Sequence, residues 1–165
     1  MKLYTTPLHT IRSMQKSLLA LVITFVVCSS LALAQDKPSV NGTWKLNQAK
    51  SKFTGGGPDN ITIVLNQQGQ ALTEQLTVGT PNGDEKMDMK YTLDGQESTN
   101  SMGPNQIKST ANWNGNDLVI NWSMGDAGYF NRKINVSEDG KVMTIVVSRK
   151  MQGPEETETV VLDKQ

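Results

Sequence analysis

The chain has 165 residues and balances 16 Lys and Arg against 16 Asp and Glu, so its formal net charge is zero. A chain without excess positive charge lacks the electrostatic footprint that nucleic acids or anionic membranes require. Its single Cys and single His leave little room for disulfide, thiol or metal-ligand chemistry.

Residues 1–34 have the pattern of a secretory signal peptide. Three basic residues, Lys2, Arg12 and Lys16, precede an apolar run over residues 18–27. Ala32-Leu33-Ala34 then supplies the small residues of a cleavage site. The apolar run is too short for a stable membrane anchor. We therefore predict a secreted or periplasmic protein whose mature domain spans residues 35–165.

The N-terminal segment also allows a prediction of the cleavage position and of the start of translation. We predict cleavage between Ala34 and Gln35. Met14 begins a more compact version of the same signal, so translation starts either there or at the first residue.

Cleavage would change the chemistry that the mature chain can perform. It removes three basic residues and no acidic one, leaving 13 against 16, or a net charge of about −3. It also removes Cys28 and His9, the only residues of their types. Ser-His-Asp and Cys-His catalysis and the usual zinc and haem ligand sets are then excluded. We predict no metal, no cofactor and no enzymatic activity, although an enzyme using only carboxylates, Tyr, Lys or Arg stays open.

Turn-forming sequences recur at nearly regular intervals from residue 60 onward. Pro81-Asn82-Gly83 and Asn114-Gly115-Asn116 are two of them, and such residues favour a positive or fixed φ. About eight turns separate about nine segments of roughly 7–10 residues, and the segment around Trp44 adds another. Apolar and polar residues alternate within the segments, as in half-buried strands.

This spacing predicts an all-β meander with no room for a long helix. Left open, such a sheet exposes two strand edges, whereas a closed barrel removes them. An antiparallel barrel of about 8–10 strands is therefore the economical prediction. The alternation is equally compatible with an open sandwich.

Two motifs carry a resemblance to a known superfamily. The run Asn41-Gly42-Thr43-Trp44-Lys45-Leu46-Asn47 resembles the Gly-x-Trp signature of the lipocalins and fatty-acid-binding proteins, the calycins, and is similar to small exported bacterial lipocalin-like domains. Residues 108–120, a Trp-containing strand that turns at Gly-Asn-Asp into Leu-Val, resemble a stretch of the fatty-acid-binding proteins. The resemblance implies one up-and-down β-barrel.

The resemblance also has a departure. Fatty-acid carriers place a two-helix lid between their first two strands. Here residues 48–59 offer about a dozen positions interrupted by Gly55-Gly56-Gly57-Pro58, which is unsuited to two helices. We predict an irregular flap or one short helical turn.

Binding remains as the function that the residues favour. Soft, adaptable Met and large aromatic side chains line ligand cavities, and they equally fill ordinary cores. In a barrel the two roles merge, because the space that side chains do not fill is the pocket. The candidate ligand-binding residues are Arg132, Trp113, Trp122, Phe130, Met87, Met89, Tyr91 and Arg149.

Arg132 is the candidate polar anchor. It shares its strand phase with Phe130 and Ile134, and the resemblance matches it to the arginine that fatty-acid carriers place inside the barrel. An inward guanidinium requires a carboxylate, water or an acidic ligand. Arg149 would supplement it from the next strand. The alternative is that Arg132 pairs with a carboxylate of the chain itself, such as Glu74, or lies at the rim.

Two functions follow as hypotheses. In the first, the protein binds a small hydrophobic or amphipathic molecule inside the barrel. In the second, the barrel is filled and acts through its loops as a protein-interaction or inhibitor module, because the fold alone does not choose between them.

Overall fold

The computed structural model describes residues 37–165, which form one compact unit. The predicted signal peptide, residues 1–34, lies outside the described residues. No helix within the described part of the chain is long and apolar enough to cross a membrane.

Ten strands and two short 3₁₀ turns make up the described chain. The 3₁₀ turns are Gln48–Lys50 and Gly125–Ala127. The strands are β1 (Gly42–Leu46), β2 (Ile61–Gln68), β3 (Ala71–Thr80), β4 (Gly83–Thr92), β5 (Asp94–Met102), β6 (Asn105–Asn114), β7 (Asp117–Ser123), β8 (Tyr129–Val136), β9 (Val142–Lys150) and β10 (Glu156–Lys164).

The strands form one antiparallel sheet that curls into a nearly closed barrel. Its order is β4-β3-β2-β1-β10-β9-β8-β7-β6-β5, so the first and last strands of the chain pair in its middle. Trp44 lies opposite Lys164 in that pairing. The two sheet edges, β4 and β5, follow each other in the chain and meet at a seam. The predicted up-and-down barrel is confirmed, and the sandwich is not formed.

The Gly-x-Trp motif closes one end of this barrel. Gly42 has φ +131°, a backbone conformation that favours glycine. The Trp44 side chain is 0% exposed, and its Nε1–H donates a 2.8 Å hydrogen bond to the carbonyl of Val40. Trp44 is therefore a large apolar plug at this end of the barrel.

The barrel is asymmetric along its axis. Inward-facing side chains near Trp44, including Leu72, Leu118 and Leu162, are buried. At the opposite end the inward-facing apolar side chains are only partly buried. We call these residues the mouth: Phe53, Ile61, Leu76, Met87, Met102, Met124, Phe130 and Val147.

A flap over residues 51–60 follows β1 and lies at the mouth. It contains no helix, and the 3₁₀ turn Gln48–Lys50 precedes it, in agreement with the prediction of an irregular flap or one short helical turn in place of a two-helix lid. Lys52 pairs with Thr159 of β10, and the Thr54 amide donates a 3.2 Å hydrogen bond to Glu158. The ring of Phe53 occupies the space that a side chain on Gly57 would need.

Candidate ligand-binding site

A buried ion pair crosses the interior of the barrel. Arg132 and Glu74 are 6% and 1% exposed. Nη1 of Arg132 donates to Oε1 of Glu74 and Nη2 to Oε2, both at 2.6 Å. Two parallel charge-assisted hydrogen bonds of this kind are the strongest pairing that a guanidinium makes with a carboxylate.

Tyr91 and Trp122 extend the ion pair into a network. The Tyr91 hydroxyl donates to Oε2 of Glu74 at 3.0 Å and accepts from Nη2 of Arg132 at 3.1 Å. It also accepts from Nε1 of Trp122 at 3.1 Å. The guanidinium carbon of Arg132 lies 4.5 Å from the centroid of the Trp122 ring, which adds a cation–π contact.

The network fixes the protonation of two of its members. Burial raises the pKa of Tyr91 above its ordinary value, so the phenol remains a hydrogen-bond donor. Burial alone would lower the pKa of Arg132, but the charge of Glu74 and the hydrogen bonds with Glu74 and Tyr91 raise it. Arg132 is therefore a permanent cation whose charge Glu74 neutralises.

The sheet order explains why these residues meet. Glu74 lies on β3 and Arg132 on β8, and β2, β1, β10 and β9 stand between these strands in the sheet. Their side chains can touch only across the interior, so the ion pair ties opposite walls together. Alternation aims each of the four side chains inward from its own strand.

No protein-family model and no curated protein matches the chain by sequence, but solved structures share its architecture. A secretory abundant heat soluble (SAHS) protein from Ramazzottius varieornatus aligns with a TM-score of 0.63 at 15% identity, over 79% of this chain and 98% of that one. Zebrafish ileal bile acid-binding protein, complexed with cholic acid, aligns at 0.57 and 16%, over 76% and 98%. Schistosoma mansoni fatty acid binding protein, in complex with arachidonic acid, aligns at 0.55 and 13%, over 76% and 95%. The protein has a calycin-like fold.

Within this calycin-like barrel, the structure brings most of the candidate ligand-binding residues together. Arg132, Tyr91 and Trp122 form the network. The ring of Phe130 lies 6.1 Å from that of Trp122, at an angle of 55°. Met89 is buried beside Glu74, which it faces across the β3–β4 ladder. The role of these residues as ligand contacts stays a prediction.

Three candidates lie away from the network. Met87 is half-buried at the mouth. Trp113 lies toward the closed end, opposite Leu118, and the ammonium of Lys37 is 5.8 Å from its ring. Arg149 lies near the mouth, opposite Phe130. Trp113 is therefore separated from a ligand held near the mouth.

Arg149 is also neutralised by carboxylates of the chain. Its guanidinium donates to Glu156 at 2.7 and 2.9 Å and to Glu158 at 3.1 Å. The hydrogen bonds to Glu156 raise the pKa of Arg149. Since Glu158 also holds the flap through Thr54, this cluster joins the β9–β10 hairpin to the flap. Both arginines that the sequence suggests as ligand anchors thus have carboxylate partners of their own.

The carboxylate of the network is fully engaged in hydrogen bonds. Among residues 37–165, no group of three or more His, Cys, Asp or Glu is arranged to hold a metal ion. The buried carboxylate of Glu74 accepts three hydrogen bonds, from Arg132 and Tyr91. A carboxylate engaged in this way is a poor base or nucleophile, because either reaction would break the ion pair.

Sequence reasoning missed the side chain that closes the seam. The Asn100 amide on β5 accepts from the Lys90 N–H at 2.7 Å and donates to the Lys90 carbonyl at 2.9 Å. It also donates to Oγ of Ser109 at 2.8 Å. The side chain thereby replaces the backbone partner that Lys90 would have in a continuous sheet. Its neighbours on β5 are mostly polar, so no alternation marks Asn100 as inward-facing.

Asn100→Leu is expected to destabilise the barrel by about 1–3 kcal/mol, because the Lys90 N–H and carbonyl lose a partner at a partly buried position. Hydrogen exchange at the Lys90 amide should accelerate more than exchange at neighbouring amides. Thr99→Leu, at the adjacent exposed position, is the matched control and should change neither quantity. Unchanged protection of the Lys90 amide in Asn100→Leu would contradict the seam assignment.

Proposed function

We propose that the protein is an exported binding protein that holds a small apolar or amphipathic molecule inside its barrel, at the mouth. The observation that carries the proposal is the mouth, where eight apolar side chains are only partly buried, next to a buried polar network. Adaptable apolar side chains with a few convergent polar groups are the usual composition of a ligand site.

The side chains of the mouth can adapt to ligands of different shapes. Met87, Met102 and Met124 contribute unbranched, polarisable thioethers that adapt to irregular surfaces. Phe53 brings an aromatic ring from the flap, so a ligand that enters here would contact both the barrel wall and the flap. The closed end around Trp44 is packed, which limits the ligand to the space above it.

The structural neighbours support the same class of ligand by analogy of fold. The zebrafish protein is complexed with cholic acid and the Schistosoma mansoni protein with arachidonic acid. Both molecules combine a large apolar body with a polar group. A fold can host unrelated functions. The proposal therefore rests on the mouth of this chain, and the ligands of the structural neighbours are consistent with it.

Met87→Lys tests the proposed position of the ligand. A charge on the inner wall should weaken binding of the uncharged dye Nile red by about tenfold or more, since binding would bury the new ammonium in an apolar contact. Fluorescence titration of the purified protein measures the affinity, and far-UV circular dichroism checks that the variant is folded.

Asp88→Lys is the matched control, because Asp88 is the adjacent residue and is exposed on the outer face of β4. It should leave the Nile red affinity unchanged. Equal weakening by both substitutions would place the dye outside the barrel, and the absence of saturable dye binding in the unsubstituted protein would contradict the proposed function.

Export is the second part of the proposal and rests on the sequence of residues 1–34. Peptide mapping of the protein recovered from its host should give an N-terminus at Gln35 and no peptide from residues 1–34. An N-terminus upstream of residue 31 would contradict the proposed cleavage site.

A further inference from the structure

We propose that the ligand of this barrel is an uncharged amphiphile whose oxygen accepts a hydrogen bond from Nε of Arg132, and that free carboxylic acids are rejected. This inference rests on the proposed function and names the chemical class of its ligand. Three observations carry it: the bidentate Arg132–Glu74 pair, one unused donor on Arg132, and the exposure of the wall above the pair.

Glu74 occupies the position that an acidic ligand would need. Its two oxygens accept from both terminal nitrogens of Arg132, in the arrangement that a ligand carboxylate would otherwise adopt. A second carboxylate would have to displace Glu74, which is 1% exposed, or lie beside it. Displacement leaves Glu74 buried without its partner, and close approach adds repulsion between like charges. Either outcome penalises an anionic ligand.

One donor of Arg132 remains available for a neutral group. Nε of Arg132 is buried and has no hydrogen-bond acceptor among residues 37–165. A buried N–H without an acceptor is costly, so an oxygen placed there is favoured. An ester, amide, ketone or alcohol oxygen supplies the acceptor without adding charge. Because Nε belongs to the positively charged guanidinium, the hydrogen bond that it donates to the ligand oxygen is strengthened.

Two apolar side chains of the mouth lie next to Arg132. Phe130 lies two residues from Arg132 on the same strand, and Val147 lies opposite Arg132 on β9. Both are inward-facing and only partly buried. The polar end of a ligand would therefore reach Arg132, and its apolar body would lie among the mouth residues.

The test is competition against Nile red with three ligands of similar length: methyl dodecanoate, tetradecane and dodecanoate, at about pH 8, where the acid is ionised. The purified protein should bind the ester at least about fivefold tighter than the alkane, because only the ester accepts a hydrogen bond. It should bind the ester at least about tenfold tighter than the acid, because only the acid brings a second negative charge.

Glu74→Gln should reverse the preference for charge. The substitution keeps the shape of the side chain and frees the charge of Arg132, so the affinity for dodecanoate should rise by at least about tenfold relative to that for the ester. Asp88→Asn removes an exposed carboxylate from the outer face and is the matched control, which should alter neither affinity. The comparison of the three ligands in the unsubstituted protein does not depend on how well the variants fold.

The outcomes separate this inference from the proposed function. If the acid binds as tightly as the ester, or the alkane does, the inference is overturned while the binding function stands. If the protein shows no saturable binding of Nile red and no competitor binds, the inference and the proposed function are both overturned.

Discussion

Arg132→Leu should lower the free energy of unfolding by about 3–5 kcal/mol, because it leaves the buried carboxylate of Glu74 without its cation. Such a loss is a large part of the roughly 5–15 kcal/mol that stabilises a domain of this kind. Urea unfolding followed by Trp fluorescence would measure it.

The double variant Arg132→Met/Glu74→Leu is the control for this prediction. Replacing both charges with apolar side chains of similar volume removes the desolvation cost together with the attraction, so its stability should lie within about 1–2 kcal/mol of the unsubstituted protein or exceed it. Equal destabilisation by the single and double substitutions would instead assign the loss to packing around Arg132.

Trp44→Ala should cost about 3–5 kcal/mol, because it empties the largest fully buried side chain of the closed end. The carbonyl of Val40 also loses the indole N–H that donates to it at 2.8 Å. Thermal and urea unfolding would both detect a change of this size.

Trp44→Phe separates the volume of the plug from its hydrogen bond. Phenylalanine retains most of the apolar volume but cannot donate to Val40, so a loss of about 1–3 kcal/mol is expected. Near-wild-type stability in Trp44→Ala would show that the barrel is closed at this end by other residues.

The fold was readable from the sequence because its signals are local. Turn residues such as Asn114-Gly115 divide the chain at strand length, and the alternation between them fixes which side chains face inward. The short turn after β1 followed from Gly55-Gly56-Gly57-Pro58, which cannot continue a helix.

The candidate site was readable only in part, because it depends on contacts between distant strands. The phase of Arg132 shows that it faces inward, but its partner lies 58 residues away on the opposite wall. Glu74 lies at an inward-facing position of β3 that would ordinarily be apolar. This break in the alternation is the signal from which the pairing of Glu74 with Arg132 could have been predicted. Asn100 carried no such signal, because few apolar residues define the phase of β5.

The internal ion pair changes what a calycin-like barrel of this kind can select. Where an inward arginine has no partner in the chain, an acidic ligand can supply the missing charge. Here Glu74 supplies it before any ligand arrives, and Arg149 is likewise paired with Glu156 and Glu158. Under the proposed function, selection of the ligand would then depend on apolar shape at the mouth and on one neutral hydrogen bond.

Native mass spectrometry of the protein purified from its own host tests the central claim most directly. We expect a complex that is heavier than the protein by the mass of one small molecule. Denaturation should release this molecule, and its fragments should identify it as an uncharged amphiphile. A released carboxylic acid would contradict the assignment of the ligand class. A ligand-free protein that co-purifies with a polypeptide would contradict the binding function itself and favour a filled barrel that acts on a protein partner.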